Sequence, residues 1–100
     1  MAPPENVTCD ASTTTSITFV IVPPATYSYT YHVFYSATTA GYSDLAGNAG
    51  NLTTAKTTVT IGGLTSGVTY LVEVLTIYEG QSSVDDTSTS CTAGRLTPLM

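Results

Sequence analysis

The stretch from Gly63 to Val74 joins a tight corner directly to a strand, and it constrains the fold more than any other part of the chain. Gly63 and Gly67 lie in the corner, and an alternating apolar pattern begins at Tyr70. Because alternate residues of a strand face the same side of a sheet, Tyr70, Val72 and Val74 are expected to face the core. The segment therefore predicts a structural corner and a buried strand, with no catalytic motif.

The same alternation recurs along the chain. In the segment 16–22, Ile17, Phe19 and Ile21 share one face, and Pro23 ends the strand because proline cannot donate to a ladder. The predicted strands are A at 6–10, B at 16–22, C at 29–36, E at 57–61, F at 70–78 and a last one, G, at 87–93. Residues 11–15 and 79–83 are predicted turns. Residues 37–55 are small and turn-forming, which predicts a loop with at most one short edge strand near 42–45.

Six or seven short strands with turns between them, and no credible helix, predict an all-β fold, a two-sheet antiparallel sandwich. The composition agrees, because threonine, valine, isoleucine and tyrosine suit a pleated surface and only 9% of the 100 residues are charged. This length allows one domain. We expect it to span residues 3–94, with 1–2 and 95–100 as linker or added ends.

The charge balance excludes two classes of partner. Two basic residues, Lys56 and Arg95, stand against seven acidic ones, for a net charge of −5. No basic stripe is present to neutralise phosphates, so neither nucleic acid nor an anionic membrane is an expected partner. No apolar run is long enough to insert in a membrane, and the segment from Met1 to Pro4 lacks the features of a secretion signal. We expect the chain to be a piece of a larger protein.

Three segments together resemble a fibronectin type III domain over about residues 3 to 93. Ser16-Ile17-Thr18-Phe19 before Pro23-Pro24 resembles its B strand, and Tyr31-His32-Val33-Phe34-Tyr35 its C strand. Leu64-x-x-Gly67-x-Thr69-Tyr70-x-Val72-x-Val74 is similar to its corner between strands E and F. The resemblance implies an immunoglobulin-like sandwich with sheets A-B-E and C′-C-F-G.

The resemblance also implies a role for each corner residue. Leu64 would close the bottom of the core, and Gly67 would adopt a positive φ. Tyr70 would bury its ring while its hydroxyl bonds to upstream backbone. The chain departs from the family in having no tryptophan, with Ile21 at the aligned position of strand B, so the core centre must be packed differently.

Cys9 and Cys91 are a second departure, because the family usually lacks a disulfide. They fall in the first and last strands, which lie at sandwich edges where the two ends of the chain can approach. We therefore predict a disulfide between them, which an oxidising compartment would keep. Two buried free thiols are an alternative. A zinc site with His32 is another, although the ligand spacing of such sites is missing.

Other polar residues predict surface features. Asn6-Val7-Thr8 and Asn51-Leu52-Thr53 are N-glycosylation sequons, the second in a predicted loop. His32 lacks the partner residues of a general base and is expected to be a surface histidine. Asp85-Asp86 with Glu79 lack calcium-loop spacing and predict a solvated acidic turn.

One predicted surface is unusually apolar. With Tyr70 and its alternates facing the core, the outward residues of strands C and F form a possible partner face. Its members are His32, Phe34, Leu71, Glu73, Leu75 and Ile77. Contiguous exposed apolar patches mark partner surfaces, whereas singly exposed aliphatic residues are ordinary.

The resemblance to this family implies a non-catalytic extracellular module for protein interaction or spacing within a larger cell-surface or secreted protein, in adhesion or receptor recognition. The expected partner is another protein or a neighbouring domain of the same chain, the oligomeric state is left open, and no cofactor or metal is expected. An accessory module of a secreted carbohydrate-active enzyme is the alternative.

Overall fold

The computed structural model describes residues 2–24, 28–38 and 49–94, and the regular structure within them is entirely β. The strands are β1 (Asn6–Thr13), β2 (Ser16–Val22), β3 (Thr30–Ala37), β4 (Ala49–Thr54), β5 (Thr58–Ile61), β6 (Thr69–Tyr78), β7 (Gln81–Ser82) and β8 (Thr87–Thr92).

The strands form two antiparallel sheets. One sheet has the order β1-β2-β5. In the other, β4, β3, β6 and β8 lie side by side, and the short β7 pairs with the end of β6. The prediction of an all-β sandwich with sheets A-B-E and C′-C-F-G is confirmed, with β4 as strand C′.

The core lies between the sheets and follows the predicted alternation. The three alternating residues of β2 are at most 1% exposed, and Val72 and Val74 of β6 face them fully buried. Phe19 and Tyr70 are the largest fully buried side chains, and Ile21 is buried beside them. These two rings are the largest side chains of a core that has no tryptophan.

Two local predictions were wrong. The turn predicted at 11–15 is confined to 14–15, because β1 continues to Thr13 through an irregularity between Cys9 and Ala11. The loop predicted at 37–55 contains β4 instead. Leu52 of β4 packs against the core, and Gly50 accommodates the ring of Tyr35, whose hydroxyl would lie 2.8 Å from a Cβ at that position. The edge strand predicted near 42–45 lies outside the described residues.

The turn after β6 is a tight hairpin. Glu79 and Gly80 have φ of 51° and 81°, as the central pair of a type I′ turn requires. Residues 81–82 then pair with the end of β6 as β7, so the predicted turn at 79–83 contains a two-residue strand.

Candidate interaction face

The corner before β6 ties the core to neighbouring backbone. The buried Tyr70 accepts a hydrogen bond at its hydroxyl from the Thr65 backbone N–H, at 2.8 Å. Leu64 is buried, and Gly67 has φ +82° and donates its N–H to the carbonyl of Ala93 at 2.7 Å. These contacts make the corner a structural element that holds the end of β8.

A disulfide joins Cys9 of β1 to Cys91 of β8, with their Cα atoms 5.8 Å apart. Because β1 and β8 belong to different sheets, the bond links the two layers at one edge of the sandwich. The alternatives of free thiols and of a zinc site do not agree with this structure.

The six residues of the possible partner face lie together on the outer surface of the larger sheet. In the register of β3 and β6, His32 is directly opposite Leu75, and Phe34 is opposite Glu73. Leu71 and Ile77 lie on the same side of β6, at the next positions of the alternation. We call the outward residues of β3 and β6 the sheet face: His32, Phe34, Leu71, Glu73, Leu75 and Ile77.

The sheet face has four apolar side chains, and polar residues border it. Phe34 is 37% exposed, and its ring centroid lies 4.2 Å from that of His32. The aliphatic residues of β6 on this face are partly buried. Ser88 and Ser90 border them on β8, and Asn51 borders Phe34 on β4. A hydrophobic centre with a polar rim is the usual anatomy of a protein contact surface.

The carboxyl group of Glu73 lies among the apolar residues of the sheet face, between Leu71 and Leu75 on β6. Burial raises the pKa of Glu73 above its ordinary value, and a hydrogen bond from its side chain to Asp86, together with the charge of Asp86, adds to this rise. On the core side of the same sheet, burial raises the pKa of the Tyr31 phenol. The electrostatic interaction with Tyr29 adds a smaller rise. The acidic pair gives the sheet face a negative spot at its border with β8.

Among the described residues, no group of three or more His, Cys, Asp or Glu side chains could hold a metal ion. His32 donates from Nε2 to Oδ1 of Asn51 at 3.2 Å, which is a structural bond on the surface. A groove of about 430 Å³ between β4 and β5 is lined mainly by threonines, with Lys56 as its one titratable group. No helix in the described part of the chain has the length and hydropathy to cross a membrane.

The structure adds residues that the sequence did not single out. Val84, between β7 and β8, is 92% exposed. Its neighbour Ser83 is buried, accepts a hydrogen bond from the Thr76 backbone N–H at Oγ, and donates to the Asp85 carbonyl at 2.8 Å. These bonds hold the loop in which Val84 is presented. One valine in a polar turn gives no sequence signal of this exposure.

The two sequons lie on strands. Asn6 is exposed at the start of β1, opposite Val22. Asn51 was expected in a loop, but it lies on the edge strand β4, exposed and directly opposite Phe34. The second sequon therefore borders the sheet face, which the sequence did not predict.

Comparisons with known proteins agree with this architecture. The family model of the fibronectin type III domain matches residues 2–90. No curated protein gives a significant match. The fn3 domain of human collagen alpha-1(XX) chain is similar at 19% identity and a TM-score of 0.75, over 99% of this chain and 90% of that one.

Two further structures share the fold. A computer-redesigned β-sandwich protein has a TM-score of 0.74 at 20% identity, over 96% of this chain and 98% of that one. The FN1–FN3 domains of chicken CNTN1 have a TM-score of 0.74 at 12% identity, over 95% of this chain and 31% of that one.

Proposed function

This chain belongs to the fibronectin type III family, and from that premise we propose that it is a non-catalytic extracellular module of a larger cell-surface or secreted protein. The module spans residues 3–94 and acts in adhesion or receptor recognition. Domains of this family are interaction modules within larger chains, and the chicken CNTN1 structure contains three of them, FN1–FN3.

The disulfide supports the extracellular placement. Disulfides persist in oxidising compartments and are rare where glutathione and thioredoxin keep thiols reduced. The bond between Cys9 and Cys91 lies at the edge of the sandwich, beside a groove of about 220 Å³ that both cysteines line. A secretory origin accounts for a bond in this position.

The sheet face is the observation that carries the proposal. Leu71, Leu75 and Ile77 project from the same side of β6, and the side chains that border them on the neighbouring strands are largely hydroxyls and amides. The partner is a protein surface with an apolar patch and a Lys or Arg opposite Glu73 and Asp86. Complementary charge favours such a partner, because the chain carries a net charge of −5.

Paired substitutions on β6 test this function. Leu71→Ser with Leu75→Ser changes no residue of the buried core and removes two of the four apolar side chains of the face. We expect binding of the labelled chain to the surface of cultured cells to fall at least about tenfold, as the loss of two partly desolvated leucines implies. Concentration-dependent light scattering of both proteins detects the case in which the partner is a second copy.

The matched control is Thr18→Ser with Thr60→Ser on the smaller sheet, where the two hydroxyls contact each other at 2.9 Å. Circular dichroism checks that every variant is folded. Cell binding that survives the leucine substitutions as well as it survives the threonine substitutions would refute the proposed face.

A further inference from the structure

The sequon on β4 is oriented by the alternation of its strand. Leu52 turns inward and packs against the core, so Asn51 and Thr53 both face outward and are exposed. In the register of β3 and β4, Asn51 is directly opposite Phe34, and Thr53 is opposite His32. Directly opposite side chains on one face lie about 5 Å apart at Cβ, which brings the Asn51 amide beside the exposed Phe34 ring.

The Asn51 amide is held by its carbonyl oxygen. Oδ1 accepts the hydrogen bond from His32 Nε2 at 3.2 Å, and Nδ2 is the atom that takes a sugar in N-glycosylation. The bond to His32 can therefore persist after a sugar is attached. The rings of His32 and Phe34, 4.2 Å apart and inclined by 33°, form an aromatic platform beside this nitrogen.

We propose that Asn51 carries an N-linked glycan whose first N-acetylglucosamine packs on the Phe34 ring. The co-reactant is an oligosaccharide linked to a polyprenyl diphosphate. Asn51 Nδ2 attacks C1 of the sugar, a C1–N bond forms, and the C1–O bond to the diphosphate breaks. The polyprenyl diphosphate leaves, and Nδ2 loses one proton to the base of the transferase.

The packing follows from the chemistry of both surfaces. The apolar C–H face of a pyranose can cover an aromatic ring while its hydroxyl groups remain in water, as amphipathic groups do at a polar rim. Phe34 is the large apolar side chain of the sheet face with the greatest exposure in the described residues. The first sugar of the glycan would cover this ring while attached to the neighbouring Asn51.

Glycosylation of Asn51 rests on the extracellular placement proposed above. The sugar would cover His32 and Phe34, which are the β3 residues of the sheet face. The surface left for a protein partner would then consist of Leu71, Leu75 and Ile77 of β6. The serines on β8 border the β6 part and carry no sequon. Attachment and packing of the sugar do not require that any protein partner binds.

The other sequon provides an internal control. Asn6 and Thr8 also face outward around a buried Val7, so the two sequons have the same strand geometry. The residue opposite Asn6 is Val22, which is aliphatic. A sugar at Asn6 therefore lacks the aromatic contact that a sugar at Asn51 would have.

The test is secretion of the chain from cultured animal cells behind a secretion signal, followed by an endoglycosidase that leaves a single N-acetylglucosamine. Peptide mass mapping determines occupancy, and thermal unfolding compares wild type with Asn51→Gln and Asn6→Gln, each also in a Phe34→Ala background. With Phe34 present, we expect the sugar at Asn51 to raise Tm by about 2–6 °C, the shift typical of a contact comparable to an aromatic pair in a domain of this size. With Phe34→Ala, the shift should disappear.

Three results would overturn the proposal: an unmodified Asn51 in the secreted protein, a Tm shift that persists with Phe34→Ala, or equal shifts for the two sequons. Proton NMR provides a second measurement, because a sugar on the Phe34 ring shows upfield-shifted C–H resonances and cross-relaxation with ring protons. If the leucine variants of β6 lose cell binding but the sugar at Asn51 does not change Tm, the glycan contact is refuted and the proposed function is supported.

Discussion

Tyr70 receives the backbone N–H of Thr65 at its hydroxyl while its ring is fully buried between the sheets. One side chain thus fills the core and fixes the corner five residues upstream. The arrangement depends on Gly67, whose φ of +82° belongs to the left-handed region that favours glycine. The corner in turn holds Ala93 through the Gly67 N–H.

Tyr70→Phe tests this relationship. The substitution keeps the ring and removes the acceptor of the Thr65 N–H, so the free energy of unfolding should fall by about 1–3 kcal/mol. Chemical denaturation measures the change. Tyr35→Phe, in β3, removes a hydroxyl from a half-buried ring and is the control. Unchanged stability in Tyr70→Phe would show that the hydroxyl does not stabilise the corner.

Removal of the disulfide should cost much of the stability of a domain of this size. The bond spans 82 residues, and closing a loop of that length contributes about 4 kcal/mol through the entropy of the unfolded chain. We expect reductant to lower the denaturation midpoint of wild type and to leave a Cys9→Ala/Cys91→Ala variant unaffected. Two alkylatable thiols in the native, unreduced protein would contradict the bond.

Thr76 offers the opposite test, a substitution that should stabilise the fold. Its side chain is fully buried, and Oγ1 has no hydrogen-bond partner within the described residues. Thr76→Val replaces this hydroxyl by a methyl group of similar shape, so the free energy of unfolding should rise by about 1 kcal/mol. Thermal and chemical unfolding measure the gain.

The control for Thr76→Val lies on the same strand. Thr69 Oγ1 shares a hydrogen bond with Thr92 Oγ1 at 2.8 Å, so Thr69→Val should destabilise the protein. Destabilisation of both variants to the same extent would mean that the Thr76 hydroxyl has a partner in the folded protein.

The sequence predicts those parts of the fold in which alternation and burial coincide. In β2 and β6, each inward residue is apolar or threonine, so the pattern shows both the strand and its orientation. In β4 the single large inward residue is Leu52, and pairing with β3 is made by backbone groups that any sequence can supply. Because Gly50 and Asn51 are typical of turns, the sequence pattern predicted a loop where β4 lies.

Only part of the sheet face could be predicted from the sequence. Its six residues are predictable, because the alternation of β3 and β6 shows which side chains point away from the core. The position of Asn51 beside Phe34 depends on the register of β4, which no local pattern specifies. The contact between Glu73 and Asp86 likewise brings together a strand and a loop through the tertiary fold.

Glu73 makes the stability of the domain depend on pH. Its folded pKa is raised above its ordinary value of 4.5, so the folded state holds the proton more tightly than the unfolded chain does. The contribution of this group to stability is therefore fully present below pH 4.5 and is lost as the pH rises through the raised pKa. Glu73→Gln keeps the shape of the side chain and removes the titration. Relative to wild type, this variant should gain stability as the pH increases from 4.5 towards neutrality.

Denaturation midpoints at several pH values across this range give the comparison. Asp86→Asn should weaken the dependence without abolishing it, because burial of Glu73 is the larger cause of the raised pKa and Asp86 adds to it. Glu5→Gln makes the same change in net charge at an exposed position outside the sheet face, and it serves as the control. If the curves of wild type and Glu73→Gln run parallel from pH 4.5 to 7, the pKa of Glu73 is not raised in the folded state.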